Sequence, residues 1–417
     1  MAEEKRAATM PEIRVPARLT FAGLAAGLIA GIVLRGSTVE AAVLGVAQPI
    51  GTLWLRALQM TIVPLVVGLL VTGIVQTVAA AQAGALARRT LGLFVAILGG
   101  GALLAALAMP LLLRVGPIPA EAAGALGGMA GAEPGTVPGL ADFLASLIPA
   151  NIVEAAAGSA MVPLIVFFSL FALATTRLDE APRRQLALLF EGLASAMMVV
   201  IGWVLALAPI GVFALALGVA ASSGAAAIGA LAHYIALVAA MGLVVMVAGY
   251  VLAVVAARQR PGAFARAVLP AQAVAFSTQS SLASLPAMLA SCRALGLRET
   301  TADFVLPLAV ALFRATSPAM NLAVVIYAAG LTGTELTPLT LAIGVGVALL
   351  TTLGSVSLPG TISFVASTGP IALAMGVPIE PLALLVAVEM LPDIVRTVGN
   401  VTMNVAVTAT VDRRETR

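Results

Sequence analysis

The sequence predicts an all-α polytopic membrane protein with eight transmembrane helices and two re-entrant helical hairpins. Three observations carry that expectation. The 417 residues are 61% hydrophobic and 10% charged, with a mean hydropathy of +1.10. A soluble domain is nearer about 45–50% apolar and about a quarter charged, so one of this length could not hide so much apolar surface. The apolar residues also fall in runs long enough to span a bilayer, parted by small groups of arginine. Two of the later runs are interrupted at mid-length by Ser, Gly and Pro. The net charge of +3 has no basic face behind it, and aromatics are only 4%, so nucleic acid is not an expected partner. The single cysteine, Cys292, and the single histidine, His233, exclude an internal disulfide and leave neither a metal site nor a cofactor to expect.

Residues 1–18 read as a retained cytoplasmic tail, because Lys5, Arg6, Arg14 and Arg18 alternate with acidic residues and no cleavage site follows. Candidate spans then occupy roughly 19–35, 45–80, 88–114, 142–176, 185–220 and 224–257. Several exceed one bilayer thickness, which implies tilt or a break. The Gly/Pro/Ala stretch at 115–141 is too broken for a span and reads as an external loop.

After Arg260 the texture changes. Residues 262–296 contain AQAVAFSTQSSLASLPAML, and 338–371 contain TTLGSVSLPGTISF. Each reads as two half-length helices meeting at a polar tip, followed by a full helix at about 299–331 and 376–411. Irregular backbone at membrane depth survives only against protein or a water-filled cavity. Paired broken segments point to a transport site, whereas one such break would be no more than a proline kink. With both termini inside and the hairpins entering from opposite sides, Arg35, Arg56 and Arg114 fall outside. Arg314 and Arg396 then lie within spans, and the other seventeen of the 22 basic residues face the cytoplasm.

Ionisable residues within spans are site candidates by their cost alone. In the last helix Glu389, Asp393, Arg396, Thr397, Asn400 and Asn404 share one stripe, at offsets of −4, 0, +3, +4, +7 and +11 from Asp393. An ion pair of purely structural purpose is the competing reading, but Thr397 and Asn400 extend the stripe as a solvated site would. Asp393 can hold an ammonium and Arg396 a carboxylate in bidentate fashion, which suits an α-amino acid gripped at both poles or a dicarboxylate gripped at one. Arg314, in FRATSPAMN, needs a partner at mid-span, with Glu389, Asp393 or a bound anion available.

These motifs resemble the glutamate transporter family, the dicarboxylate/amino acid:cation symporters, nearly end to end. The similarity rests on LWLRALQMTIVPLVVGLLVTGI (53–74), IPANIVEAAAGSAMVPLIVFFSLFA (148–172), APIGVFALAL (208–217), the tips QSSLASLP (279–286) and SLPGT (357–361), and above all DIVRTVGN (393–400). The resemblance implies a homotrimer working as an elevator. Residues 19–80 and 142–220 would form its scaffold. The transport domain would comprise 88–114, 224–257 and the core 262–412. It further implies substrate contacts at Gln279, Ser280, Ser281, Ser317, Leu358, Pro359, Gly360, Asp393, Arg396, Thr397 and Asn400. Aspartate or glutamate is the implied substrate, with a C4-dicarboxylate as the alternative.

The chain departs from the family at its cation sites. The family's Asn-Met-Asp-Gly-Thr is here Phe313, Arg314, Ala315, Thr316 and Ser317, and its last signature Asp is Asn404. Two carboxylates are lost and a guanidinium is gained beside where sodium would sit, a repulsion of several kcal/mol even when partly screened. Proton coupling, or transport without sodium, is therefore expected in place of ordinary sodium coupling. Arg314, Glu389 and Asn404 are the coupling candidates, with Glu389 or Asp393 carrying the proton. An anion conductance would be a side activity. An intramembrane enzyme would need a Ser-His or paired-Asp centre, and His233 in GALAHYIALV reads as a core residue instead.

Overall fold

The computed structural model describes residues 17–82, 84–118, 148–354 and 360–415. The expectations for residues 1–16 of the tail, 119–141 of the loop, and Leu358 and Pro359 of the second tip lie outside the described residues. The described residues hold sixteen helices. The first seven are α1 (Ala17–Leu34), α2 (Glu40–Ala81), α3 (Ala85–Val115), α4 (Ile152–Ala157), α5 (Met161–Thr175), α6 (Glu180–Ala206) and α7 (Ala208–Ser223). Then follow α8 (Ala226–Val255), α9 (Pro261–Thr278), α10 (Leu285–Ala294), α11 (Glu299–Leu312) and α12 (Ser317–Thr332). The chain closes with α13 (Pro338–Gly354), α14 (Gly360–Ala374), α15 (Glu380–Leu385) and α16 (Met390–Glu415).

Among the described residues five segments are long and apolar enough to cross a bilayer: α2, α3, α6, α8 and Glu299–Thr332. At 42 residues α2 is about 63 Å long, twice the hydrocarbon thickness, so it must run obliquely. Of the shorter apolar helices, α5, α7 and α13 pack on α2, and α1 packs on α7. The protein is an all-α membrane protein.

Lipid supplies no hydrophobic drive between helices, so close backbone approach must hold them together. The α1–α7 contact shows how. Gly23, Gly27 and Gly31 recur every four residues on α1, and a Cβ there would lie only 2.4–2.5 Å from the carbonyl oxygens of Pro209, Phe213 and Leu217. Only glycine fits. On the other side of α7, α2 packs against α5, α6 and α7, with the Trp54 indole N–H donating to the Val204 carbonyl at 2.9 Å.

A second group surrounds α12 and α16. Helix α12 packs on α3 and α8, while α16 packs on α8, α9, α10 and α11. Nearly every residue of α12 is buried, as befits a helix wrapped on all sides. Within this group α9 and α10 join through a tip at 279–284, and α13 packs along α14.

Four segments read as single helices are divided. The run 142–176 contains α4 and α5 among its described residues, and 185–220 breaks at Leu207 between α6 and α7. The run 299–331 parts into α11 and α12 around residues 313–316, and 376–411 yields the short α15, a turn at 386–389 and then α16. Proline is the common cause in the last three. Pro209, Pro318 and Pro392 each stand just after the break and have no N–H for the carbonyl four residues earlier. At the last of these the Val388 carbonyl takes the Leu391 N–H instead, at 3.1 Å.

Candidate substrate site

The turn before α16 positions the charged cluster. Glu389 lies outside the helix and caps it: its carbonyl accepts the Asp393 N–H at 2.9 Å while its side chain is free to fold back along the helix. There one carboxylate oxygen, Oε1, accepts from Nη2 of Arg396, and the other, Oε2, accepts from the Tyr234 hydroxyl of α8 at 3.0 Å. The Nε of Arg396 is 3.2 Å from Oδ1 of Asp393, one turn earlier on the same helix, and its Nη1 donates to Oδ1 of Asn321 on α12 at 2.7 Å. Glu389, Asp393, Arg396 and Asn321 are 1%, 5%, 6% and 1% exposed. Charges this buried persist only when paired and hydrogen-bonded, and these are.

The break at 313–316 faces the cluster. Phe313 stacks face to face on Phe94 of α3, ring centroids 4.2 Å apart, which fixes one side of the break. Asn400 fixes the other: its Oδ1 accepts both the backbone N–H and the hydroxyl of Thr316, each at 2.9 Å. Thr316 also donates to the Arg396 carbonyl at 3.1 Å. Such closeness needs Gly399, where a Cβ would meet the Thr316 methyl at 2.6 Å. Arg314, half-buried in the break, interacts electrostatically with Asp393 and Arg396. Glu389 is thus bonded to Arg396 and Tyr234, while Asp393 is the carboxylate on which Arg314 acts.

The remaining residues of the expected site divide. Ser317 begins α12, is buried, and its hydroxyl has no hydrogen-bond partner among the described residues. Thr397 donates to the Asp393 carbonyl at 2.9 Å, so its hydroxyl lies along the helix. Gln279 ends α9 with φ +50°, a left-handed conformation uncommon for a side chain of this kind, and is half-buried with Ser280 and Ser281 at the tip. Ser280 Oγ accepts the Ala283 N–H at 3.2 Å, and the Ser280 carbonyl accepts the Ser284 hydroxyl at 2.8 Å, which stiffens that tip. Gly360 opens α14. Asn404 stands further along α16, its Nδ2 3.9 Å from the Met288 sulfur of α10 and its side-chain Oδ1 without a partner among the described residues.

Asn321 and Tyr234 were not among the expected site residues. A signal for Asn321 exists, since it is a lone amide in the apolar run AMNLAVVIY, four residues after Ser317. Tyr234 had none beyond its place beside His233.

The sequence profile of the Sodium:dicarboxylate symporter family matches residues 17–414. The chain belongs to this family. It is a membrane transporter of the symporter class and not an enzyme. Among its relatives, the proton/sodium-glutamate symport protein of Bacillus subtilis (strain 168) is 29% identical over 397 residues, covering 92% of this chain and 89% of that protein. The proton/glutamate-aspartate symporter of Escherichia coli (strain K12) is 27% identical over 376 residues, covering 87% and 84%. The C4-dicarboxylate transport protein 1 of Pseudomonas aeruginosa (strain UCBPP-PA14) is 28% identical over 279 residues, covering 66% and 60%.

Proposed function

We propose that this symporter carries acidic amino acids such as aspartate and glutamate, coupled to protons or independent of sodium. One observation supports the reading most: Asp393 and Arg396, opposite in charge, stand one helical turn apart in a buried site, and the Ser317 hydroxyl at the start of α12 has no hydrogen-bond partner among the described residues. In the bound state the Asp393 carboxylate receives the α-ammonium group. Arg396 receives the side-chain carboxylate, and Ser317, Thr397 and Asn400 complete the contacts. The similarity to glutamate-aspartate and glutamate symport proteins agrees with that assignment. Likeness to a C4-dicarboxylate transport protein favours succinate-like acids as the second reading. Arg314 occupies the role of a coupling cation, as a positive charge that the chain itself supplies to Asp393.

Labelled aspartate uptake into proteoliposomes tests this, with sodium and proton gradients imposed separately. Uptake driven by a proton gradient is expected. Uptake of succinate with none of aspartate would replace the first reading by the second, and uptake of neither acid would overturn both.

The transport cycle is an elevator in a homotrimer with both termini cytoplasmic. Residues 19–80 and 142–220 remain as the scaffold, while 88–114, 224–257 and 262–412 move with the substrate enclosed. The packing supports the division, since α5, α6 and α7 pack on α2 and α1 packs on α7, while α3 and α8 cohere with α12 and α16. Gln279, Ser280 and Ser281 close over the substrate from one side, and Leu358, Pro359 and Gly360 from the other as the outer gate. Introduced cysteines that lock the second tip against the first should stop uptake from outside until a reductant is added; undiminished uptake by the oxidised protein would remove the gate.

A further inference from the structure

The grip of Arg396 has a consequence for how a proton and a substrate meet. A guanidinium offers a carboxylate two forks, one across Nη1 and Nη2 and one across Nε and Nη2. Each fork uses one of the two Nη2 hydrogens. That nitrogen is held by Glu389, while Asn321 takes Nη1 at 2.7 Å and Asp393 lies 3.2 Å from Nε. A substrate carboxylate on the fork that Glu389 occupies must displace it, and one on the other fork meets an arginine whose charge Glu389 already neutralises. Asn321 is a neutral acceptor and Asp393 is the partner proposed for the substrate's ammonium, so Glu389 is the anion that competes with the substrate carboxylate for the charge of Arg396.

We propose that Glu389 is a tethered competitor for the substrate's own carboxylate, and that it yields Arg396 when it takes up one proton. This rests on the proposed role of Arg396 as carboxylate anchor. Protonation of Oε1 puts an O–H where Arg396 directs an N–H, so two donors oppose one another and the charge-assisted bond is lost. Tyr234, bonded to Oε2 at 3.0 Å, retains the released side chain near its place. The charges facing Glu389 balance in the same way. Arg396, Asp393 and the more distant Arg314 accompany it, from α16 and from the break before α12, while α8 and α12 present Tyr234 and Tyr327. His233, next to Tyr234, lies 3.3 Å from the Tyr327 hydroxyl and is not bonded to Glu389 among the described residues.

With both carboxylates ionised and both arginines charged, the four groups sum to zero. Adding an acidic amino acid, net charge −1, would leave an uncompensated buried negative charge. One proton on Glu389 restores neutrality. The exchange is balanced: Glu389 gains the proton that bulk water supplies, its bond to Arg396 breaks, and the substrate carboxylate forms the replacement. On release the order reverses. Neither species then crosses easily without the other, because a deprotonated Glu389 opposes the acid and a proton entering alone leaves the four groups with one uncompensated buried positive charge.

Calorimetric titration of aspartate into the purified protein tests this, run at one pH in two buffers of different ionisation enthalpy so that the protons bound are counted. About one proton taken up per aspartate is expected, with affinity falling by about tenfold per pH unit where Glu389 is ionised beforehand. In Glu389→Gln the proton count should fall to zero and the affinity should lose its pH dependence. Zero protons in the wild type, or one proton still taken up by Glu389→Gln, would overturn the exchange. The wild-type count stands by itself should Glu389→Gln fail to fold. Absence of binding of both aspartate and succinate would instead remove the underlying assignment of Arg396.

Discussion

Arg396→Cys is expected to lower aspartate affinity on the order of 100-fold or more. Two charge-assisted hydrogen bonds of about 1.5–3 kcal/mol each are lost with the fork, and each 1.4 kcal/mol is about tenfold. The thiol restores neither the charge nor the geometry. The same change leaves Glu389 and Asp393 buried without the guanidinium that both now face, and removing one partner of a buried pair costs about 3–5 kcal/mol of stability. Affinity must therefore be measured on protein shown to be folded. Uptake of a neutral amino acid serves that purpose, because its ammonium and α-carboxylate contacts do not require Arg396. Arg396→Lys gives a second measure: the charge stays, the fork is lost, and an intermediate loss is expected. Unchanged aspartate affinity in folded Arg396→Cys would remove the two-pole site.

The stripe on α16 was legible because helical spacing alone places residues at offsets of three, four and seven on one face. Asp393, Arg396, Thr397 and Asn400 do share that face, and the family membership expected from DIVRTVGN is found. What spacing could not give was the partner of each charge. Glu389 and Arg396 are two turns apart, and they meet because Pro392 ends the helix early and lets Glu389 fold back. That proline, like Pro318 after the break at 313–316, was visible in the sequence as a boundary signal. Tyr234 and Asn321 come from helices 155 and 75 residues away from their partners, and such contacts follow from how α8 and α12 pack against α16. Local periodicity carries no information about them.

Aspartate uptake should be the same in sodium and in a sodium-free medium if Arg314, as proposed, supplies the charge that a cation would bring. Sodium is coordinated at membrane depth by carbonyl and carboxylate oxygens from broken helices. At the break before α12 the side chains offered are those of Phe313, Arg314, Ala315 and Thr316, and Thr316 is engaged by Asn400. Asn404 has an amide where the family has a carboxylate, and its neighbour is the Met288 sulfur. The Arg314 guanidinium in the break repels a sodium ion placed there. Arg314→Met should then lower uptake by at least about tenfold, which corresponds to about 1.4 kcal/mol of lost charge compensation at a half-buried group. Added sodium should not restore it, since removing the arginine does not rebuild an oxygen cage. Were Arg314 only a packing residue, Arg314→Met would retain its uptake, since its side chain fills similar volume. Wild-type uptake that required sodium would overturn the substitution of cation by arginine outright, and rescue of Arg314→Met by sodium would show that an oxygen site persists beneath it.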